Sequence, residues 1–278
     1  MDYKPTRPEN NDNITRDSPV KEALVLLSGV LAFFLVAYCM LGFLVDWAIS
    51  RISPKMEAAI FSGFQVPSGL GTPEDLSCQA SLQHLTNELR KCCDINYPVK
   101  IIVIPSDTAN AIALAGGTIV VFSGIFDMVR SENGIAFVLA HELGHFKHRD
   151  HLRGMGRGIV LTALSALLTG SGSSITQLTA PGIHLTQARY SRQREAMADA
   201  QALETMACYY GHAGGATEFF QAMGAADDPG RFMAYFASHP ECESRIAALK
   251  KAIQEQHFDI RPVKPLPPEL KHLPSGKL

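Results

Sequence analysis

Polar and apolar positions divide this chain unevenly. Residues 1–22 are mainly polar and read as a disordered tail. Ala23 to Val45 then form 23 consecutive positions without a charge. As a helix at roughly 1.5 Å per residue they extend about 34 Å, enough to cross a bilayer. Glu22 and Asp46 bracket the run, and Trp47 falls at interface depth. A cleaved signal peptide has an apolar region of roughly 7–15 residues and a small-residue cleavage site. No such site follows, and Tyr38 is too large for the position before a lipidated Cys39, so the run reads as an uncleaved single-span anchor. Lys4, Arg7, Arg16 and Lys21 precede it, while only Arg51 and Lys55 follow closely. The positive-inside rule then leaves the tail in the cytosol and the rest on the non-cytosolic, periplasmic or extracellular side.

Residues 46–72 form a juxtamembrane connector. A helix is predicted next, with Thr72 as N-cap, Pro73 at the first position and Glu74 and Asp75 at the positive end of the dipole. Cys78, Leu82, Leu85, Leu89 and Cys92 form its apolar stripe. Val99–Ile104 and Thr118–Phe122 are β-rich runs, and the segment between them, Asn110 to Ala115, is too apolar for a free loop. Ser131 and Glu132 open a second helix, buried from Ile135 to Ala140, whose polar continuation reaches His151. Ile159–Leu168 is apolar but too short to span a bilayer. It reads as a core or domain-packing helix, with a membrane-dipping or lid segment as the alternative. Residues 191–200 are Ala-rich and predict a further helix. Arg261 to Leu278 contains five prolines and reads as an extended, disordered end. The expected architecture is α+β: a mainly helical domain over residues 73–260 with a small β-sheet, plus one N-terminal transmembrane helix.

Composition narrows the function. A net charge of -2 with no basic block excludes nucleic acid as a partner. Six cysteines in 278 residues do not make a disulfide scaffold. Cys78 and Cys92 lie about 21 Å apart along one helix and cannot bridge each other, so they read as small core residues that leave the redox compartment open.

The chemistry concentrates at His141-Glu142-Leu143-Gly144-His145. On a helix, positions 141 and 145 are i and i+4, so both imidazoles leave one face and can hold one zinc ion, with Glu142 beside them as general base. A bare match also arises by chance on core helices with solvated histidines. A catalytic zinc needs a third protein ligand and an open position for water. His151 is one candidate, because His141, His145 and His151 nearly repeat the metzincin spacing. His148 replaces the glycine that turns that motif back, and in an unbroken helix His151 lies about 9 Å beyond His145 along the axis. Glu195 is the other candidate. It shares a helix face with Asp199, and Ala196, Ala198, Ala200 and Ala202 permit close packing against the first helix. Glu195 can then complete the zinc site, and Asp199 can take the free ring N–H of a ligating histidine.

His141 to His145, followed by Ser191-Arg-Gln-Arg-Glu195-Ala-Met-Ala-Asp199, resembles the HtpX-like and CAAX-prenyl-protease-like zinc metallopeptidases, a gluzincin group. Asn110 to Gly117 is similar to the family's cleft-edge segment, with Ala115 replacing the usual proline. Ser238-His239-Pro240 with Arg245 resembles its late motif. The resemblance covers roughly residues 75–255 and implies a zincin-type endopeptidase holding Zn2+ through His141, His145 and Glu195. It further implies that His239 steadies the developing oxyanion, that Arg245 stands with Asp199 behind the ligands, and that Asn110 binds the substrate backbone. A strand-like segment before the metal helix suits pairing with an extended peptide, through Ala111 and Ala113. The prenyl proteases carry many spans and this chain has one, which argues against a prenylated substrate. The expectation is a membrane-anchored zinc endopeptidase acting on proteins or peptides, in quality control of the cell envelope. The rival from another class is an inactive, zinc-stabilised adaptor using the same cleft; an intact Glu142 argues against it, because a structural site needs no base.

Overall fold

A computed structural model describes residues 18–61, 76–169, 192–225, 229–239 and 242–271. Helix α1, Pro19–Arg51, contains the whole uncharged run. It is long and apolar enough to cross a membrane, and its side chains along the run, such as Leu24, Leu31, Phe33 and Phe43, are exposed. A short helix α2, Pro54–Ile60, follows; Pro54 sits at its start and Ser53 caps it by accepting the Met56 N–H at 3.2 Å. Helix α3, Leu76–Cys92, buries Cys78, Leu82, Leu85 and Leu89 as its periodicity predicts. The expected capping residues Thr72 to Asp75 lie outside the described residues.

Three strands follow: β1 (Lys100–Ile104), β2 (Ala111–Leu114) and β3 (Thr118–Phe122). Their order is β1-β3-β2, with β1 parallel and β2 antiparallel to β3. The β2 strand is therefore at an edge. One sheet face, carrying Ile101, Val103, Ala111, Ala113, Ile119 and Val121, joins the main core with α3 and α4.

Helix α4, Glu132–His148, is the centre of that core, buried without interruption from Asn133 to Phe146. Ser131 caps it, accepting the Gly134 N–H at 2.9 Å, as the sequence predicts. Its end differs from expectation. The helix does not run on to His151: Arg149 adopts a left-handed backbone, φ 58°, and helix α5 starts afresh at Asp150 and extends to Thr169. Glycine normally fills that capping position, because it has no Cβ to strain there, so the residue types gave no stop signal.

Helix α6, Arg192–Tyr210, lies along α4. A Cβ on Gly144 would stand 3.0 Å from the Ala198 Cα, so the two backbones touch there. Of the expected small residues, Ala198 and Ala202 make this contact surface and are fully buried, whereas Ala196 is exposed. Helices α7 (Glu218–Gly224), α8 (Met233–Ser238) and α9 (Cys242–Glu255) close the domain.

Two further expectations need correction. Cys92 is not a core thiol: it is disulfide-bonded to Cys208, tying the end of α3 to α6. The proline-rich end is extended but docked as far as residue 271. Glu132 N–H donates to Lys264 O, Leu266 N–H to Arg130 O, and Leu266 and Leu270 are buried. Prolines remove backbone donors without preventing leucines between them from packing.

Candidate active site

The periodicity of α4 puts His141, Glu142 and His145 on buried positions of one helix, and the close approach at Gly144 brings Glu195 and Asp199 of α6 opposite them. His239 ends α8. Its N–H donates to Tyr235 O at 2.7 Å, and its ring stacks on the Tyr235 ring at 4.7 Å. Arg245 enters from the first turn of α9.

The donor atoms converge. His141 and His145 Nε2 lie 3.1 Å apart, and they lie 3.5 and 3.4 Å from the two Glu195 carboxylate oxygens. His239 Nδ1 is 3.0 Å from Glu195 and 3.3 Å from His141 Nε2. One ligand atom from each of His141, His145, Glu195 and His239 lies within 4.8 Å of the others, all four residues are buried, and the cluster could hold a metal ion.

The outward nitrogens are tied down. His141 Nδ1 lies 2.9 Å from Asp199 Oδ1, and His145 Nδ1 lies 3.1 Å from Asp150 Oδ2. Each carboxylate fixes the tautomer that leaves Nε2 facing the cluster. Arg245 donates to Asp199 through two nitrogens at 2.9 and 2.6 Å and reaches Glu195 at 2.8 Å, while its guanidinium rests 4.5 Å over the Phe220 ring. Asp199 therefore lies between His141 and Arg245. Asp150 was missed. It comes close to His145 only because the chain reverses at Arg149, and an aspartate five residues after a histidine carries no periodic signal.

The charges are strongly coupled. Burial opposes ionisation of Glu195, but His239 and the hydrogen bonds from the three imidazoles hold its carboxyl far below the usual range. Burial and then the Arg245 charge hold the Asp199 carboxyl up and down respectively, and the arginine prevails, so it also stays below its ordinary value. Burial pulls His145 down, yet the Asp150 and Glu195 carboxylates outweigh it and raise the imidazole to about 9. Such a site attracts positive charge, from protons or from a cation.

Glu142 is fully buried, and its two oxygens differ. Oε2 accepts the Ala113 N–H at 3.0 Å, whereas Oε1 accepts no hydrogen bond among the described residues and lies 3.6 Å from His239 Nε2. The strand register explains the first contact. Phe122 N–H donates to Asn110 O, so residues 110, 112 and 114 bond toward β3 and Ala111 and Ala113 direct their backbone groups to the free edge, beside Glu142. Asn110 is buried with its Oδ1 unpartnered among the described residues. His151 is elsewhere: its Nε2 lies 2.8 Å from Glu57, outside the cluster.

The model of peptidase family M48 matches residues 77–253. The mitochondrial metalloendopeptidase OMA1 of Schizosaccharomyces pombe is 32% identical over 160 residues, which are 55% of this chain and 46% of that protein. The metalloprotease YcaL of Escherichia coli is 29% identical over 161 residues, 56% of this chain and 63% of that one. A protease HtpX homolog of Salinibacter ruber is 30% identical over 201 residues, 66% of this chain and 67% of its own length. The chain thus spans about half to two thirds of these relatives.

Proposed function

The chain belongs to peptidase family M48, and from that premise we propose that it is a membrane-anchored zinc endopeptidase whose metal is held by His141, His145 and Glu195. The donor set supports zinc: two imidazole nitrogens and a carboxylate suit it, and ligands about 2.0–2.1 Å from zinc stand about 3.3 Å apart in a tetrahedron. The separations of 3.1, 3.4 and 3.5 Å agree with that edge. Zinc bound there would polarise the scissile carbonyl and acidify a water. Glu142 Oε1, buried beside the cluster and without a hydrogen-bond partner among the described residues, is the observation that carries the reading. It takes the proton from water and passes it to the leaving amine. His239, whose Nε2 lies 3.6 Å from the same oxygen, steadies the oxyanion as it forms. Asp199, Asp150 and Arg245 orient the ligating imidazoles.

An extended peptide pairs with the free edge of β2 through Ala111 and Ala113, displacing the Ala113–Glu142 contact and releasing both Glu142 oxygens. Asn110, at the start of that strand, binds the substrate backbone. Only locally unfolded segments can add such a strand, which supports damaged or misfolded envelope proteins as substrates. The Cys92–Cys208 disulfide supports a domain on the oxidising, non-cytosolic side of the membrane.

The decisive experiment compares wild type and Glu142→Gln for metal content and casein cleavage on the same preparation. The substitution is expected to abolish hydrolysis with zinc retained, and a chelator to abolish it in wild type. Wild-type turnover by the variant sinks the mechanism, and zinc without turnover in either protein favours the adaptor.

A further inference from the structure

His151, outside the His141–His145–Glu195 cluster, belongs to a second buried cluster, where the end of α1 meets the domain. Its centre is Glu57 of α2, 3% exposed. Glu57 Oε1 accepts from His151 Nε2 at 2.8 Å and from the Gly116 N–H at 3.1 Å, and Oε2 accepts from Arg149 Nη2 at 3.3 Å. Arg149, the left-handed residue that ends α4, also donates through Nη1 to Ile49 O at 2.8 Å and to Ile52 O, the last carbonyls of α1. Ile49 O also accepts the Ile52 N–H at 3.2 Å, and a cation beside the carbonyls at a helix C-terminus is favourable. The apolar partners follow the same path: Ile49, Ala115 and Leu152 pack together with Val45, Phe61 and Met155. A Cβ on Gly116 would come 2.9 Å from the Phe61 Cβ, and Gly116 has φ +88°. That position therefore requires glycine for its backbone and for the closeness of α2.

These contacts reach both walls of the catalytic cleft. Gly116 lies in the turn between β2 and β3, two residues beyond Leu114, the end of the edge strand. Arg149 caps the helix that carries His141, Glu142 and His145. Most of the ties run through a single side chain on the segment that leaves the membrane.

We propose that Glu57 is a positioning residue for catalysis: by holding the Gly116 N–H and Arg149, it sets the edge strand β2 against α4 so that a substrate peptide can pair beside Glu142. This rests on the reading that β2 takes the substrate. Glu57 touches neither substrate nor metal; its effect is on the register and rigidity of the strand. The membrane anchor is accordingly part of the binding apparatus and more than a tether.

The test uses the full-length protein in lipid nanodiscs and a quenched casein peptide. Glu57→Ala is expected to raise KM about tenfold while kcat changes less than about twofold, the mark of lost binding common to ground and transition states. Hydrogen exchange across residues 111–118 speeds up, and zinc content is unchanged. In the Glu142→Gln background the same substitution raises the peptide's Kd by a similar factor, a readout that stands even if the wild type hydrolyses nothing. Glu57→Gln keeps an oxygen for Gly116 and recovers most of the binding, with KM up only about threefold; it serves equally if Glu57→Ala fails to accumulate. Unchanged KM and Kd, wild-type exchange over 111–118, or a loss confined to kcat overturns the proposal.

Discussion

Two glutamates, Glu195 and Glu57, are each buried among histidine and arginine, and the two clusters have opposite designs. Around Glu195 three imidazoles converge at 3.0 to 3.5 Å, and the outward nitrogens of His141 and His145 are held by carboxylates of their own. Around Glu57 there is one imidazole, whose Nδ1 is unpartnered among the described residues, and the carboxylate is used up by Arg149 and a backbone N–H. An arginine reaches both carboxylates, Arg245 at 2.8 Å from Glu195 and Arg149 at 3.3 Å from Glu57; Glu195 faces three imidazoles besides, an arrangement suited to a cation, whereas Glu57 faces one imidazole and an amide. Composition alone does not separate them. The direction in which each ring nitrogen points does.

Removing the central or neighbouring group of each cluster separates the designs most strongly. Glu195→Ala is expected to lose most bound zinc and all hydrolysis, while His151→Ala keeps its metal; zinc analysis of the purified variants checks both. A His151→Ala protein that cannot hold metal would break the comparison. A smaller effect sharpens it: Asp150→Ala and Asp199→Ala each remove the partner of one imidazole proposed to bind zinc. A loss of roughly 10–100-fold in zinc affinity or activity is expected for each, as for other carboxylates that orient metal-bound histidines. Competition with a fluorescent chelator measures it. Equal effects for both place Asp150, absent from the motif, on the same footing as Asp199.

The smallest effect is in pH. Burial raises the Glu57 carboxyl, but the hydrogen bond and charge of His151, the Gly116 N–H and the charge of Arg149 together bring it below its ordinary value of 4.5. Tyr97 nearby is pushed up to about 12, first by burial and then by the negative charge of Glu57. A carboxyl lowered in the folded state contributes stability that is complete above the unfolded value and is lost as pH falls through the folded one. The attachment of α2 is therefore expected to hold steady above pH 4.5 and to loosen below it. Hydrogen exchange over residues 111–118 at stepped pH, corrected for intrinsic rates, checks this in wild type against Glu57→Gln, which has no such dependence.

Much was legible in residue order because it is local. The i, i+4 histidines, the Ser131 cap, the β-rich runs at 99–104 and 118–122 and the uncharged run at 23–45 each express a period or a cap within one element. Glu195 and Asp199 were also readable, since they share a helix face and small neighbours allow close packing. What the sequence could not state depends on contacts distant in the chain. Cys92 reads as a core residue because it lies on the apolar stripe of α3 and cannot bridge Cys78, while its partner, Cys208, is 116 residues away. His151 was excluded as a ligand on the premise of an unbroken helix, yet the helix breaks at Arg149. That break sends His151 to Glu57 and returns Asp150 to His145. Arginine has no preference for a left-handed backbone; here its guanidinium is held by the carbonyls at the end of α1 and by the carboxylate of Glu57. Side-chain identity thus determined which elements form and which residues carry chemistry. Tertiary packing decided which of two similar histidine–carboxylate clusters could hold a metal and which fastens the domain to its N-terminal apolar helix.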